Sequence, residues 1–372
     1  MKQKIAILEN NILATLSIRK NLTKELIKQG YDVAILTTGS PQQFDAAAKE
    51  GFTVIDVKCC TQNPLSVFRY MKNIKKALKQ TKTTICLTFT IRPAILGNFI
   101  TRQMNIPTIS NITGVGPLFE SKNLAYRFAR ILYKIALQKT AKIFFQNNDD
   151  KALFLKHQFV KDTIAALIPG SGIDHDYFKP IEKKSNNDKF IFLYIGRLLK
   201  DKGIIEYIEA ARIIKKEFPM VEFQVIGPIW QQNLKENTIT AVELQEWINE
   251  GVINYIGEVH DVRSYISNSN CVVLPSYREG MSNVLLEASS MERPCISTKV
   301  TGCKEIIDDE VTGYLCNVAD SIDLADKMKL MLAIPEEKRI ELGKNARKKV
   351  MKEFDKKIVI DAYVEALKQL SK

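Results

Sequence analysis

The sequence predicts two doubly wound α/β domains, on three observations. The chain has 372 residues, long for one compact core and comfortable for two. Short apolar runs rich in β-branched residues alternate with helical patterns throughout, which is how βαβ units and parallel sheets read. The alternation breaks once, at "IPGSGIDHDYFKP" (168–180). Two glycines, two prolines and short polar residues there make irregular chain suited to a hinge, after which the rhythm restarts.

In the first series, "KIAIL" is a strand, the amphipathic stretch 16–29 a helix ended by Gly30, and "YDVAILT" the next strand. "FTVIDV", a helix near 65–80, "TTICLTFT", a helix near 93–104 and "PTISNIT" follow. After residue 188 come "FIFLYIG", a helix near 203–217, "VEFQVIG", "INYIG", a helix near 261–268, "CVVLPS", a helix near 283–292 and "PCISTKV". Such crossovers are right-handed in parallel sheets. The closing stretch 354–370 has helical spacing. The expected division is 1–170, 171–352, and a terminal helix in 353–372 packing back toward the first domain.

A hydrophobic content of 45% with 26% charged residues is that of a soluble globular chain. No uncharged apolar run reaches the roughly 18 residues of a spanning helix. "MKQKIAILENN" reads as a first strand rather than a signal peptide. Seven cysteines without CxxC spacing, three of them (Cys86, Cys271, Cys295) in apolar strand-like runs, point to a reduced cytoplasmic protein. Three scattered histidines (157, 175, 260) argue against a His/Cys metal site. "NNDD" (147–150) needs no more than an N-cap role, and "DDE" (308–310) is no better a metal site.

The net charge of +12 is unevenly spread. Residues 1–178 hold 25 Lys+Arg against 12 Asp+Glu, so the remainder holds 29 against 30. Two stretches, 64–82 and 122–142, contain six basic residues each and no acid. In the second, Phe128, Leu132 and Ile135 form an apolar stripe with Arg127, Arg130 and Lys134 on another face. A core helix with a solvated side explains the stripe; an anionic membrane surface explains the missing acids. Nucleic acid is not expected, since neither stretch belongs to a reading module and aromatic platforms are sparse.

In an open α/β sheet, chemistry clusters in the loops that follow strands. In "YIGRLLKDKGI" (194–204), Gly196 ends a strand and Arg197 and Lys202 flank a turn before a helix. Amides, dipole and two cations make a diphosphate-shaped site, although a plain turn with solvated cations fits the same residues. In "YREGMSNVLLEAS" (277–289), Ser282 caps a helix beginning at Asn283, and amides near 280–284 are free for an anion or polar ligand. Glu287, in the second turn, can accept from two neighbouring hydroxyls, as in a ribose diol; Glu279 can serve a second hydroxyl-rich group. "VTGCKEIIDDEVTGYLC" (300–316) follows with Gly302 and Gly313 in turns. In the first half, "TFTIRP" places Arg92 at a strand tip, and "TISNITGVGPLFE" places Thr113, Gly114 and Gly116 in a turn. "GVG" lacks the third glycine and the later acid of a dinucleotide fingerprint, so no NAD site is expected.

"SGIDHDYFKP", "YIGRLLKDKG", "GEVHDV" and the run from "CVVLPSYREG" to "VTGYLC", in order and spacing, resemble the retaining glycosyltransferases of family four, which have the GT-B fold. The resemblance covers essentially the whole chain. It implies two Rossmann-like domains facing across a cleft, the first binding the acceptor and facing the membrane, the second binding a nucleotide sugar. "TFTIRP" and "SNITGVG" further resemble the bacterial subgroup acting on undecaprenyl-diphosphate-linked saccharides.

By position, the resemblance implies a catalytic group of Arg197, Lys202 and Glu279. Gly196, Arg197, Lys202, Pro228, Val259, Glu279, Gly280, Met281, Ser282, Asn283 and Glu287 would line the donor site, with Glu287 on the ribose and Glu279 on the sugar. Arg92, Thr113 and Gly114 would lie on the acceptor side, and Arg127, Arg130 and Lys134 toward the membrane. The implied reaction moves a hexose, such as N-acetylgalactosamine, from a UDP-sugar to a lipid-linked saccharide at the inner face of the cell membrane, without metal or cofactor. A UDP-sugar 2-epimerase of the same architecture is the alternative. Two features depart from the family: the first strand is followed by "ENNILATLSIR" without glycine, and no histidine precedes His157.

Overall fold

A computed structural model describes residues 3–58, 63–115, 119, 124–182, 189–230 and 237–370. Cys59, Cys60 and Gly116 lie outside these described residues. The chain divides into two compact units. One runs to Gly172 and takes in the stretch from Lys356 onward; the other is Ile173–Asp355.

In the first unit the strands are β1 (Lys4–Leu8), β2 (Asp32–Thr37), β3 (Thr53–Asp56), β4 (Ile85–Phe89), β5 (Thr108–Ile112), β6 (Lys142–Phe145) and β7 (Ala165–Leu167). They pair in the order β3-β2-β1-β4-β5-β6-β7, each pair parallel. Alternation along β1 shows why helices must cover both faces. Ile5 and Ile7 enter one apolar cluster with Leu22, Leu26 and Leu367, while Ala6 and Leu8 enter another with Tyr70 and Ile74. The second unit has β8 (Ile191–Ile195), β9 (Glu222–Ile226), β10 (Asn254–Gly257), β11 (Cys271–Leu274), β12 (Cys295–Thr298) and β13 (Gly313–Cys316). Their order is β10-β9-β8-β11-β12-β13, again all parallel. The two doubly wound sheets expected from the sequence are therefore present.

Strand order reverses between β1 and β4 in one sheet and between β8 and β11 in the other. Ligands of open α/β sheets sit beyond the carboxyl ends of the strands at such a reversal.

Three local expectations are corrected. The stretch 16–29 is not one helix: Ile12–Leu16 and Lys20–Lys28 are separated by a turn. Ser17 Oγ donates back to the Leu13 carbonyl at 2.6 Å, and Arg19 turns inward against Glu9 at 3.4 Å and over the Phe89 ring. A buried ion pair thus takes the place of a helical turn. The helix near 93–104 opens with a π-helical turn, Pro93–Gly97, before α-helix Asn98–Gln103. The buried Asn98 side chain there donates to Ser110 Oγ and Thr140 Oγ1.

The third correction concerns Leu124–Leu137. Its core face is Tyr133, Ala136 and Leu137, packed in one cluster with Phe145 and Phe154, and Leu132 only lies partly against it. Phe128 is 61% exposed, and Ile131 and Ile135 are exposed as well. The apolar stripe expected to face the core thus lies mostly on the same side as Arg127.

The helix Lys356–Gln369 belongs to the first unit although the whole second unit precedes it in the chain. Tyr363 fastens it: the ring lies 4.8 Å from Phe144 and 5.9 Å from Phe89, and its hydroxyl accepts from Asn111 Nδ2 at 2.8 Å. Tyr363→Phe, leaving the buried Asn111 amide without that partner, is expected to cost about 1–3 kcal/mol. Tyr363→Ala should cost about 3–5 kcal/mol by adding a cavity. Amide exchange of β4 and β5 under urea measures both, and equal protection in Tyr363→Ala and wild type would contradict the fastening role.

Candidate functional site

The site is built from loops that buried strands carry to one edge of the second unit. All five residues of β8 and all four of β11 are buried. Their ends, at the reversal in strand order, are therefore fixed by the core.

After β8 the chain passes Gly196 and Arg197 and makes a tight turn, Lys200–Lys202, into the helix Ile204–Glu217. Gly203 joins turn to helix with φ +73°, and a Cβ there would fall 2.0 Å from the Pro275 carbonyl oxygen. Only glycine allows this approach of the two loops. Hydrogen bonds continue the join: Tyr277 N donates to the Asp201 carbonyl at 2.9 Å, and Ser276 Oγ to the same oxygen at 3.3 Å. The loop after β12 is sewn on in turn. Glu279 N donates to Thr301 O and Ser282 N to Gly302 O, both at 3.0 Å. Gly302, at φ +83°, packs so closely on Glu279 that a Cβ would lie 2.6 Å from its backbone.

This stitching makes a contact the sequence did not announce. Lys202 Nζ lies 2.6 Å from Glu279 Oε1, with only 17% and 16% of the two side chains exposed. Arg197, by contrast, is exposed and lies with its guanidinium carbon 4.9 Å from the centre of the Trp230 ring.

The helix Asn283–Ser290 starts as expected. Ser282 is its N-cap, with Oγ accepting from Leu285 N at 3.4 Å. Helices leave their first amides without internal partners, so the Asn283 end offers donors to an anion. Met281 is buried, and Gly280 leads into this turn. Glu287 sits one turn into the helix and is partly buried. Loss of water and the nearby Asp261 push its carboxyl up to about 8. Asp261 follows the loop that carries Val259, which packs on the core, so that loop and Glu287 are neighbours. Pro228, after β9, uses its carbonyl to accept from Leu198 N at 3.0 Å.

Within the second unit the structure thus brings together the loops bearing Gly196, Arg197, Lys202, Pro228, Glu279, Ser282 and Asn283. Glu287 and Val259 stand on the adjoining side. The arrangement can hold an anion against two cations and helix amides, and hydroxyls against carboxylates.

In the first unit, Arg92 follows β4, while Thr113 and Gly114 follow the adjacent β5. Sequence reasoning missed two residues beside them. Thr90 has φ +69°, a left-handed backbone that β-branched residues rarely adopt, and Asn10 Nδ2 donates to its Oγ1 at 2.8 Å. They stand at the ends of β4 and β1, at the reversal of that sheet. No pattern of residue types betrays such a strained threonine. Trp230 was missed too; a large aromatic just after the Gly227–Pro228 turn was the available signal.

A Ser–His–Asp grouping outside the site has a structural role. His175 Nδ1 is 3.0 Å from Ser290 Oγ, and its Nε2 is 3.7 Å from Asp355. Ser290 is fully buried and donates to the Phe178 carbonyl, so no substrate reaches its hydroxyl. Among the described residues no group of three or more His, Cys, Asp or Glu is placed to hold a metal ion.

Residues 178–349 match the family model described as glycosyl transferases group 1, and residues 4–147 match that described as glycosyl transferase 4-like. The chain is 28% identical over 353 residues to the capsular polysaccharide biosynthesis glycosyltransferase CapM of Staphylococcus aureus, covering 90% of this chain and 89% of that one. It is 26% identical over 319 residues to the N,N'-diacetylbacillosaminyl-diphospho-undecaprenol alpha-1,3-N-acetylgalactosaminyltransferase of Campylobacter jejuni, covering 82% and 81%. In fold it is similar to Anabaena HepE solved with UDP-glucose, at TM-score 0.81 and 15% identity over 98% of this chain and 99% of that one.

The raised carboxyl of Glu287 has a measurable consequence. A folded-state value of about 8 against an ordinary 4.5 means the folded protein keeps this proton where the unfolded chain releases it. The residue therefore lowers stability progressively as pH rises from about 4.5 to about 8. Relative to Glu287→Gln, wild type should lose thermal stability across this window, measured as the difference in Tm at each pH. A pH-independent difference would contradict the placement.

Proposed function

The chain belongs to the glycosyl transferases whose group 1 and 4-like models it matches, and on that premise we propose that it moves an N-acetylated hexose from a UDP-sugar to a polyprenyl-diphosphate-linked saccharide. The observation that carries the donor assignment is the stitched loop cluster of the second unit, where the Lys202–Glu279 pair, the capped start of the Asn283 helix and the exposed Arg197 all lie in loops after strands of the one sheet. The lipid-linked acceptor rests on relatives: the one from C. jejuni is named for a diphospho-undecaprenol substrate and the one from S. aureus for capsule assembly.

In this reading the diphosphate lies against Arg197, Lys202 and the first amides of the Asn283–Ser290 helix, the Ser282 amide being already taken by the Gly302 carbonyl, and the ribose diol donates to Glu287. Glu279 accepts from hydroxyls of the donor sugar, and the base lies along Pro228 and Val259. An acceptor hydroxyl attacks the anomeric carbon on the face from which the diphosphate departs, so configuration is retained. The anomeric carbon–oxygen bond to phosphate breaks as the new glycosidic bond forms, and the hydroxyl proton passes to a phosphate oxygen of the leaving UDP. Arg197 and Lys202 stabilise charge growing on that diphosphate, so the step needs no metal. Arg92, Thr113 and Gly114 contact the acceptor.

The approach of a lipid-linked acceptor suits two helices of the first unit. Pro64–Gln80 exposes Leu65 and Phe68, the latter 72% exposed, beside Arg69, Lys72 and Lys76. Leu124–Leu137 exposes Phe128, Ile131 and Ile135 near Arg127, Arg130 and Lys134. Exposed apolar side chains among cations and without acids favour the interface of an anionic membrane. No helix among the described residues is long and apolar enough to cross a membrane. The exposed apolar and basic faces of these two helices support peripheral contact with the inner face of the cell membrane.

Arg197→Ala and Glu287→Ala should each weaken UDP binding and lower sugar transfer by about tenfold or more, with a lipid-diphosphate saccharide as acceptor. Wild-type activity in both would remove the donor assignment. Consumption of UDP-sugar without any lipid acceptor would favour a UDP-sugar 2-epimerase instead.

Replacing Arg127, Arg130 and Lys134 together by Gln should release the protein from anionic liposomes in a sedimentation assay while UDP affinity stays within about twofold. Equal loss of both would contradict the membrane assignment.

A further inference from the structure

Of the two cations in the candidate donor site, Arg197 is, among the described residues, the one left exposed. Lys202 is held by Glu279, but among the described residues no carboxylate pairs with Arg197. A long exposed side chain without a partner samples many rotamers, and ordering it on ligand binding costs affinity. Here the guanidinium carbon stands 4.9 Å from the centre of the Trp230 ring.

The backbone that leads to the indole is itself held. Leu198 N donates to the Pro228 carbonyl, and Leu198 and Ile229 form a parallel bridge, so the residues just after Arg197 and just before Trp230 are locked side by side. A second bridge, Leu199 to Thr238, and the bond from Lys200 N to the Asn237 carbonyl keep the two segments together beyond the contact. The core makes no demand for a tryptophan there: Trp230 is only half-buried, whereas Trp247, the other tryptophan, lies within the apolar cluster.

Stacking and anion binding use different parts of a guanidinium. The planar face meets the ring, while all five N–H donors lie in the plane and point outward. A stacked arginine can therefore fork two phosphate oxygens without leaving the indole.

We propose that Trp230 is a positioning residue for Arg197: its indole face carries the guanidinium so that the N–H edge is already turned to the diphosphate of an incoming nucleotide sugar. The proposal rests on the donor assignment above and adds to it a residue whose role is confined to Arg197.

The test uses the full chain and UDP as probe, with calorimetry and tryptophan emission read on the same samples. UDP should change the emission of wild type, because pairing with the diphosphate screens the charge that Arg197 holds over Trp230. Trp230→Phe, retaining only the buried Trp247, should lose that change yet bind UDP nearly as well, since a phenyl ring still supports the cation. Trp230→Ala should raise Kd by roughly two- to fivefold, the size of an exposed cation–π contact. In the Arg197→Ala background, Trp230→Ala should raise Kd no further, because the residue acts through Arg197. Unchanged Kd in Trp230→Ala, or the same further loss with and without Arg197, overturns the proposal while leaving the donor assignment intact. Failure of wild type to bind UDP overturns the donor assignment and this proposal with it.

Discussion

The contact between Lys202 and Glu279 is the interaction on which the candidate site depends. It joins the loop after β8 to the loop after β11 where the strand order of the second sheet reverses. Neither side chain chooses this position by itself. Lys202 is carried there by the glycine turn against Pro275, and Glu279 by the bonds from its loop to Thr301 and Gly302. A lysine and a glutamate so little exposed are tolerable only as a pair, because removing one would leave the other charged and poorly solvated. The pair thereby sets both spacing and charge. It leaves Arg197 as the cation facing solvent, and any diphosphate that enters must compete with one carboxylate for Lys202. A ligand carrying two or more negative charges is suited to win that competition where a neutral sugar is not.

Glu287 answers a different physical demand. Eight residues beyond Glu279 and one turn inside a capped helix, it has lost enough water, with Asp261 close by, that its proton is held up to about 8. Hydroxyl groups donating to its carboxylate favour the ionised form, so such a ligand repays part of the desolvation on binding. The two glutamates thus differ by environment: one is compensated by a lysine, the other waits for donors.

Much of the frame was legible in the amino-acid sequence because it depends on local chemistry. Uniformly apolar strands such as "IFLYI" and "CVVL" announce sheets buried on both faces, and Ser282 before an apolar run announces its own helix cap. Asn147 caps its helix by the same logic, its Oδ1 accepting from Asp150 N at 2.7 Å. What escaped depends on partners distant in sequence. The break at Ser17–Arg19 follows from Glu9 and Phe89, the exposed Phe128 from a core face that Tyr133, Ala136 and Leu137 already fill, and the placement of Arg197 over a ring from a tryptophan 33 positions away. The backbone of Thr90, held by Asn10, left no trace in residue type at all.

In the proposed donor site one carboxylate, Glu287, takes the ribose while the stitched loops take the diphosphate. The most direct measurement is a double cycle by calorimetry, pairing wild type and Glu287→Gln with UDP and with UDP lacking both ribose hydroxyls. If Glu287 holds the diol, each change alone weakens binding and the two together weaken it no more than either does. Losses that add in full would place the ribose elsewhere and contradict the role of Glu287.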